Sequence, residues 1–105
     1  MPTNQQRVAM ITGGNSGIGF AIAIKLAAKG FAVMLASRNQ QASGKAIARI
    51  HAVNPKAIVE SIPLDLSSFA SVRQCASAFQ AKGYPLHILI NNAGGSVPGL
   101  SLIHI

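Results

Sequence analysis

The sequence predicts an α/β fold built as a doubly wound parallel sheet, and three observations carry that expectation. Short apolar runs alternate with segments whose apolar residues recur at helical spacing. The runs are continuous rather than alternating, as in strands covered on both faces. Half of the 105 residues are hydrophobic and 10% are charged, which excludes a disordered chain and allows one domain.

Arg7-Val8-Ala9-Met10-Ile11-Thr12 reads as a first buried strand. Ile18, Ala21, Ile22 and Leu26 keep helix spacing as far as Lys29, with Gly30 as a natural stop. Phe31 to Ala36 is a second apolar strand. Gln40 to Ala52 is a second helix with Ala46, Ile47 and Ile50 inward, ended by Asn54-Pro55 because the residue before proline avoids helical backbone. Ile58 to Leu64 is a third strand. Ser67 or Ser68 caps a third helix with the stripe Phe69, Val72, Ala76 and Phe79. Gly83-Tyr84-Pro85 turns the chain into a fourth strand, Leu86 to Ile90. Right-handed crossovers leave few topologies for this β-α-β-α-β-α-β order.

Between the first strand and helix lies Thr12-Gly13-Gly14-Asn15-Ser16-Gly17-Ile18-Gly19. Its glycines permit a tight turn and close approach of a ligand, and a helix N-terminus presents free N–H groups to an anion. A pyrophosphate is the natural occupant, although a ligand-free glycine turn has the same outline. No Gly-Lys-Ser/Thr follows, so the loop is not of the Walker type.

The spacing T-G-x-x-x-G-x-G at Thr12 to Gly19, followed in order by Leu64-Asp65-Leu66 and Asn91-Asn92-Ala93-Gly94, resembles the short-chain dehydrogenase/reductase family over residues 7 to about 95. The wording around these motifs is similar to the retinol-dehydrogenase-like and WW-domain-oxidoreductase-like branch. The resemblance implies a Rossmann-type sheet truncated to about four strands, order 3-2-1-4, with three helices. It makes Thr12, Gly13, Asn15, Ser16, Gly17, Ile18 and Gly19 candidates for cofactor binding.

The end of the second strand separates the nicotinamide cofactors. An acid there bonds the adenosine ribose hydroxyls and repels a 2′-phosphate. Here the residues are Ser37-Arg38-Asn39: Ser37 can donate and Arg38 offers a fork for phosphate oxygens, which favours NADP(H) over NAD(H). The plainer reading makes Arg38 a solvated residue and Asn39 a helix cap. By resemblance, Asp65 accepts from the adenine amino group and Leu66 lines its pocket; the plainer role of Asp65 is a helix N-terminal acid. Asn91, Asn92, Ala93 and Gly94 lie at the carboxyl end of the fourth strand, where open α/β sheets bind ligands. The resemblance implies that the two amides brace strands and contact the cofactor ribose.

The family moves a hydride to or from a carbonyl or alcohol carbon, using a Tyr, a Lys, a Ser and an Asn beyond the N-N-A-G motif. The single tyrosine, Tyr84, precedes the fourth strand and lacks Tyr-x-x-x-Lys, so no catalytic residue is assigned and the chain alone is expected to be inactive. A non-catalytic nucleotide-binding or redox-sensing regulator is the alternative on this scaffold. The expected partner of a whole protein is a small carbonyl or alcohol substrate, and a homo-oligomer is compatible with it.

Nine Lys and Arg stand against Glu60 and Asp65, giving a formal charge of +7. That could signal nucleic acid, but the absence of Trp and 5% aromatics leave few stacking surfaces. A chain lacking its acidic remainder explains the imbalance better. One cysteine, Cys75, excludes a disulfide framework and fits a reducing, cytoplasmic setting; it reads as a small helix residue. His51, His87 and His104 have no ligand spacing, so no metal site is expected. Lys25/Lys29 and Lys45/Arg49 read as solvated faces. Met1 to Gln6 is polar, and Val8 to Ile24 is broken by Thr12 to Ser16, so neither reads as a signal or a membrane span. Residues 1–95 are expected to be the dinucleotide-binding part and 96–105 an irregular tail. Leu100 to Ile105 resembles translated adapter sequence and is expected to be non-native. In the doubly wound order 3-2-1-4-5-6-7 the fourth strand is interior, so truncation is expected to leave it an exposed, aggregation-prone apolar edge.

Overall fold

The computed structural model describes residues 7–13, 17–83 and 85–92 together with the backbone of 101–104. The elements follow in the expected order: β1 (Val8–Thr12), α1 (Gly17–Ala28), β2 (Ala32–Ser37), α2 (Gln40–Val53), β3 (Val59–Pro63), α3 (Phe69–Ala81), β4 (Ile88–Asn91) and β5 (Ser101–His104). The sheet order is β3-β2-β1-β4-β5, with the first four strands parallel. The 3-2-1-4 sheet and its three helices are therefore those the sequence predicts.

Up to their last residues, Thr12 and Ser37, β1 and β2 are apolar because each faces helices on both sides. Ile11, Val33, Leu35 and Ile90 pack with Phe20, Ala23 and Ala27 of α1 and Ala46 and Ile50 of α2. Val8, Met10, Ala32, Met34 and Ala36 pack on the opposite face with Cys75 and Phe79 of α3. Period-two alternation thus divides one continuous apolar run between two cores.

The helix ends are specified locally. Gly30 has φ +91, and the Gly30 N–H reaches Ala27 O while Phe31 N–H reaches Leu26 O, which closes α1 in a Schellman motif. Asn39 Oδ1 accepts from Ala42 N–H at the start of α2. Of the two serines that could cap α3, Ser68 does so, accepting from Ser71 N–H. Arg49 does not simply face solvent: its guanidinium lies 4.2 Å from the centroid of the Phe20 ring and ties α2 to α1. Lys82 Nζ meets Glu60 Oε1 at 2.9 Å and ties the end of α3 to β3.

Two expectations are corrected. The inward face of α3 is Cys75 and Phe79, not the whole stripe from Phe69 to Phe79; Phe69 is 86% exposed and Val72 39%. Two helices cover one face of the sheet, whereas α3 alone covers the other among the described residues, so its outer apolar side has nothing to meet. A cleft of about 560 Å³ opens there between Met10, Leu86 and Leu89 and the α3 residues Val72, Ala76 and Phe79. The tail, expected to be irregular, places Ser101–His104 antiparallel on β4, with Ile88 opposite His104 and Asn91 opposite Ser101. β4 is therefore paired on both sides; an open row of backbone donors and acceptors is satisfied by extended chain within reach. Residues 93–100 lie outside the described residues.

His87 is structural. Its Nδ1 accepts from the Val8 N–H at 3.0 Å while its own N–H donates to Val8 O, so the β1–β4 ladder begins on an imidazole. His87→Leu removes that acceptor and should cost about 1–3 kcal/mol, read as a lowered urea midpoint; an unchanged midpoint would show the bond to be dispensable.

Candidate functional site at the carboxyl ends of the strands

Because β1 to β4 run parallel, Thr12, Ser37, Pro63 and Asn91 all finish on one edge of the sheet. The loops that carry the predicted binding residues leave from that edge.

Thr12 is buried, and its hydroxyl is fully engaged. It donates to Asn91 Oδ1 at 2.9 Å and accepts from the Asn92 N–H at 2.9 Å. Those bonds lock β1 to β4 and spend the hydroxyl proton on Asn91. Asn91 braces strands as the resemblance implied, with its amide oxygen used in doing so. Gly13 leaves the strand with φ +67 and spends its N–H on Ala36 O. α1 then begins at Gly17, whose φ of +61 is costly for any residue with a Cβ. Gly19 is buried against the sheet and Ile18 is exposed. Gly14, Asn15 and Ser16, like Ala93 and Gly94, lie outside the described residues.

The turn after β2 is laced from three directions. Ser37 O accepts from Leu64 N–H and from Gln40 Nε2. Ser37 Oγ lies 3.2 Å from Asn39 O and 2.8 Å from Ser43 Oγ. The Asn39 Oδ1 is committed to the cap of α2. Arg38 at the tip is exposed, and no hydrogen bond holds its guanidinium among the described residues.

Asp65 follows β3 beside this turn. Its Oδ1 accepts from the Ser67 hydroxyl at 2.6 Å and the Ser67 N–H at 3.0 Å. Those two bonds hold its carboxyl below the ordinary value of 3.8; burial opposes them, and the charge of Arg38 adds to them. Its backbone N–H donates to Ser71 Oγ at 2.7 Å. Oδ2 carries no hydrogen bond among the described residues and is the oxygen left to meet a ligand. Leu66 is 49% exposed and borders the cleft over α3.

The structure thus gathers Arg38, Asp65, Leu66, Asn91 and the start of α1 along one edge. Ser43, Ser67 and Ser71 were missed from sequence. Ser67 had a signal in the Asp-x-Ser spacing of an Asx turn. Ser43 had one in its register with Ala46 and Ile50.

A family model described as short chain dehydrogenase matches residues 7–102. The chain belongs to this family. A WW domain-containing oxidoreductase of Danio rerio is 49% identical over 87 residues, 83% of this chain and 21% of that protein. A polyprenol dehydrogenase of Mus musculus is 42% identical over 94 residues, 90% of this chain and 28% of that protein. Among solved structures, menthone neomenthol reductase from Mentha piperita superposes with a TM-score of 0.80 at 39% identity, over 86% of this chain and 32% of that one. A metagenomic short-chain oxidoreductase in complex with NADP gives 0.76 at 34% identity, over 84% and 39%. The chain therefore spans well under half the length of these members of the short-chain dehydrogenase family.

Two outcomes test this site. Asp65 has a lowered pKa in the folded chain, so its contribution to stability is present above about pH 4 and is lost as pH falls through the lowered value. Asp65→Asn should remove that acid-side slope from a denaturation series below pH 4; an unchanged slope would contradict the Ser67 bonds. Thr12→Val should cost about 1–3 kcal/mol, measured by urea unfolding, because Asn91 Oδ1 and Asn92 N–H lose their shared partner.

Proposed function

We propose that this chain is the NADP(H)-binding part of a short-chain oxidoreductase whose whole protein moves a hydride between the nicotinamide and a carbonyl or alcohol carbon. The observation that carries the reading is the tip of the β2 turn. Arg38 stands exposed, with no hydrogen bond to its guanidinium among the described residues, at a place where an acid would repel a 2′-phosphate, and Ser37-Arg38-Asn39 contains no acid. Similar solved structures are described with NADPH and with NADP.

The residues fit a dinucleotide laid along the edge. The N-terminal turn of α1 carries no acid and takes the pyrophosphate, Arg38 takes the 2′-phosphate, and Asp65 Oδ2 with Leu66 takes the adenine. The cofactor supplies or accepts the hydride when bound. Asn91 and Thr12 hold the β1 and β4 ends in register beneath it. The chain alone binds without turnover, since it offers no Tyr-x-x-x-Lys. A cytoplasmic location, a small carbonyl or alcohol partner and the absence of nucleic acid complete the reading.

Titration of the chain with NADPH and NADH should show tighter binding of NADPH. Arg38→Ala should reduce that preference about tenfold, the worth of a charge-assisted hydrogen bond. Equal affinities in the unaltered chain would overturn the reading, and salt-sensitive binding of duplex DNA at physiological ionic strength would favour a nucleic-acid role instead.

A further inference from the structure

Ser43 lies within α2, six residues beyond Ser37, and its side chain is sealed from solvent at 0% exposure. A buried hydroxyl must place its proton on an acceptor. The acceptor that the structure offers is Ser37 Oγ at 2.8 Å. Ser37 has one hydroxyl proton of its own, and Asn39 O at 3.2 Å can only accept. The two bonds are satisfied together in one direction: Ser43 O–H donates to Ser37 Oγ, and Ser37 O–H donates to Asn39 O. In the reverse direction the Ser43 proton has no acceptor among the described residues, whereas Asn39 O accepts the Ser43 backbone N–H at 3.0 Å in either case.

This direction changes what Ser37 does. Its proton is spent within the turn, so it has none for a cofactor phosphate, contrary to the expectation from sequence. The chain of hydroxyls runs from the floor of α2 to the carbonyl of Asn39, bracketing Arg38 on both sides. Ser37 O is fixed independently by Leu64 N–H and Gln40 Nε2, so the hydroxyl chain constrains the remaining freedom of the turn.

We propose that Ser43 is a positioning residue for cofactor discrimination. From beneath α2 it orients Ser37, and through Ser37 and Asn39 it fixes the direction in which Arg38 meets a 2′-phosphate. This rests on the NADP(H) reading above, but the hydroxyl chain itself exists without a cofactor.

The test uses the 105-residue chain and the variants Ser43→Ala, Ser37→Ala and the double variant, each titrated with NADPH and NADH. Ser43→Ala should lower the preference for NADPH about fivefold, the worth of one neutral hydrogen bond, with NADH affinity unchanged. Ser37→Ala should lower it equally, and the double variant no further, because the two hydroxyls act as one chain. A loss in Ser37→Ala with none in Ser43→Ala would make Ser37 a direct phosphate ligand and overturn the proposal. Equal loss of both cofactors would reduce Ser43 to a packing residue and overturn it too. The backbone-amide and side-chain Nε NMR shifts of Arg38, measured without cofactor, give a second readout. They should move alike in both single variants, and unmoved shifts would sink the linkage. If the unaltered chain bound neither dinucleotide, the functional reading would fail, while the Arg38 shifts would still decide whether Ser43 sets the turn.

Discussion

The hydroxyl of Thr12 is the point on which the binding edge turns. It gives its proton to the Asn91 amide oxygen and takes one from the Asn92 backbone, joining residues nearly eighty positions apart in the chain. β1 lies between β2 and β4 at the middle of the sheet, with helices over both faces, so its end helps fix where the neighbouring loops begin. Fastening β4 to it there, and again through His87 at the other end, holds the ladder at both limits.

The polar groups of that edge divide their labour. Thr12, Asn39, Ser37 and Asp65 Oδ1 are bonded internally, which keeps them from competing for a ligand and fixes the backbone around it. Arg38 and Asp65 Oδ2 are left open. That division follows from the energetics of hydroxyls and amides, which are costly to leave unpaired once partly buried, whereas an exposed guanidinium is satisfied by water until an anion displaces it. A small set of internally satisfied residues therefore surrounds Arg38, whose guanidinium carries no hydrogen bond among the described residues.

The two faces of the sheet differ in how completely they are covered. α1 and α2 close one, with Arg49 lying over Phe20 at their junction. On the other, α3 sits alone among the described residues and leaves Phe69, Val72 and Leu66 facing outward. β5, lying antiparallel on β4, closes the sheet edge but not this face.

Sequence alone determined β1 to β4, the three helices, the 3-2-1-4 order and the family, because those rest on apolar periodicity, caps and short motifs that are read locally; it did not show β5, which forms by pairing with β4. It located Arg38 and Asp65 at the right edge, since both sit just past a recognisable strand. It also showed two possible caps for α3 without choosing between them. Tertiary structure chose Ser68, buried Cys75 in place of Val72 and Phe69, and turned Arg49 onto Phe20. It also spent the Thr12 proton on Asn91 and joined Ser37 to Ser43. The caps at Asn39 and Ser68 bond partners three residues on, whereas the Thr12–Asn91 bond and the Arg49–Phe20 contact exist only because folding brings distant residues together, which no local pattern in the chain displays.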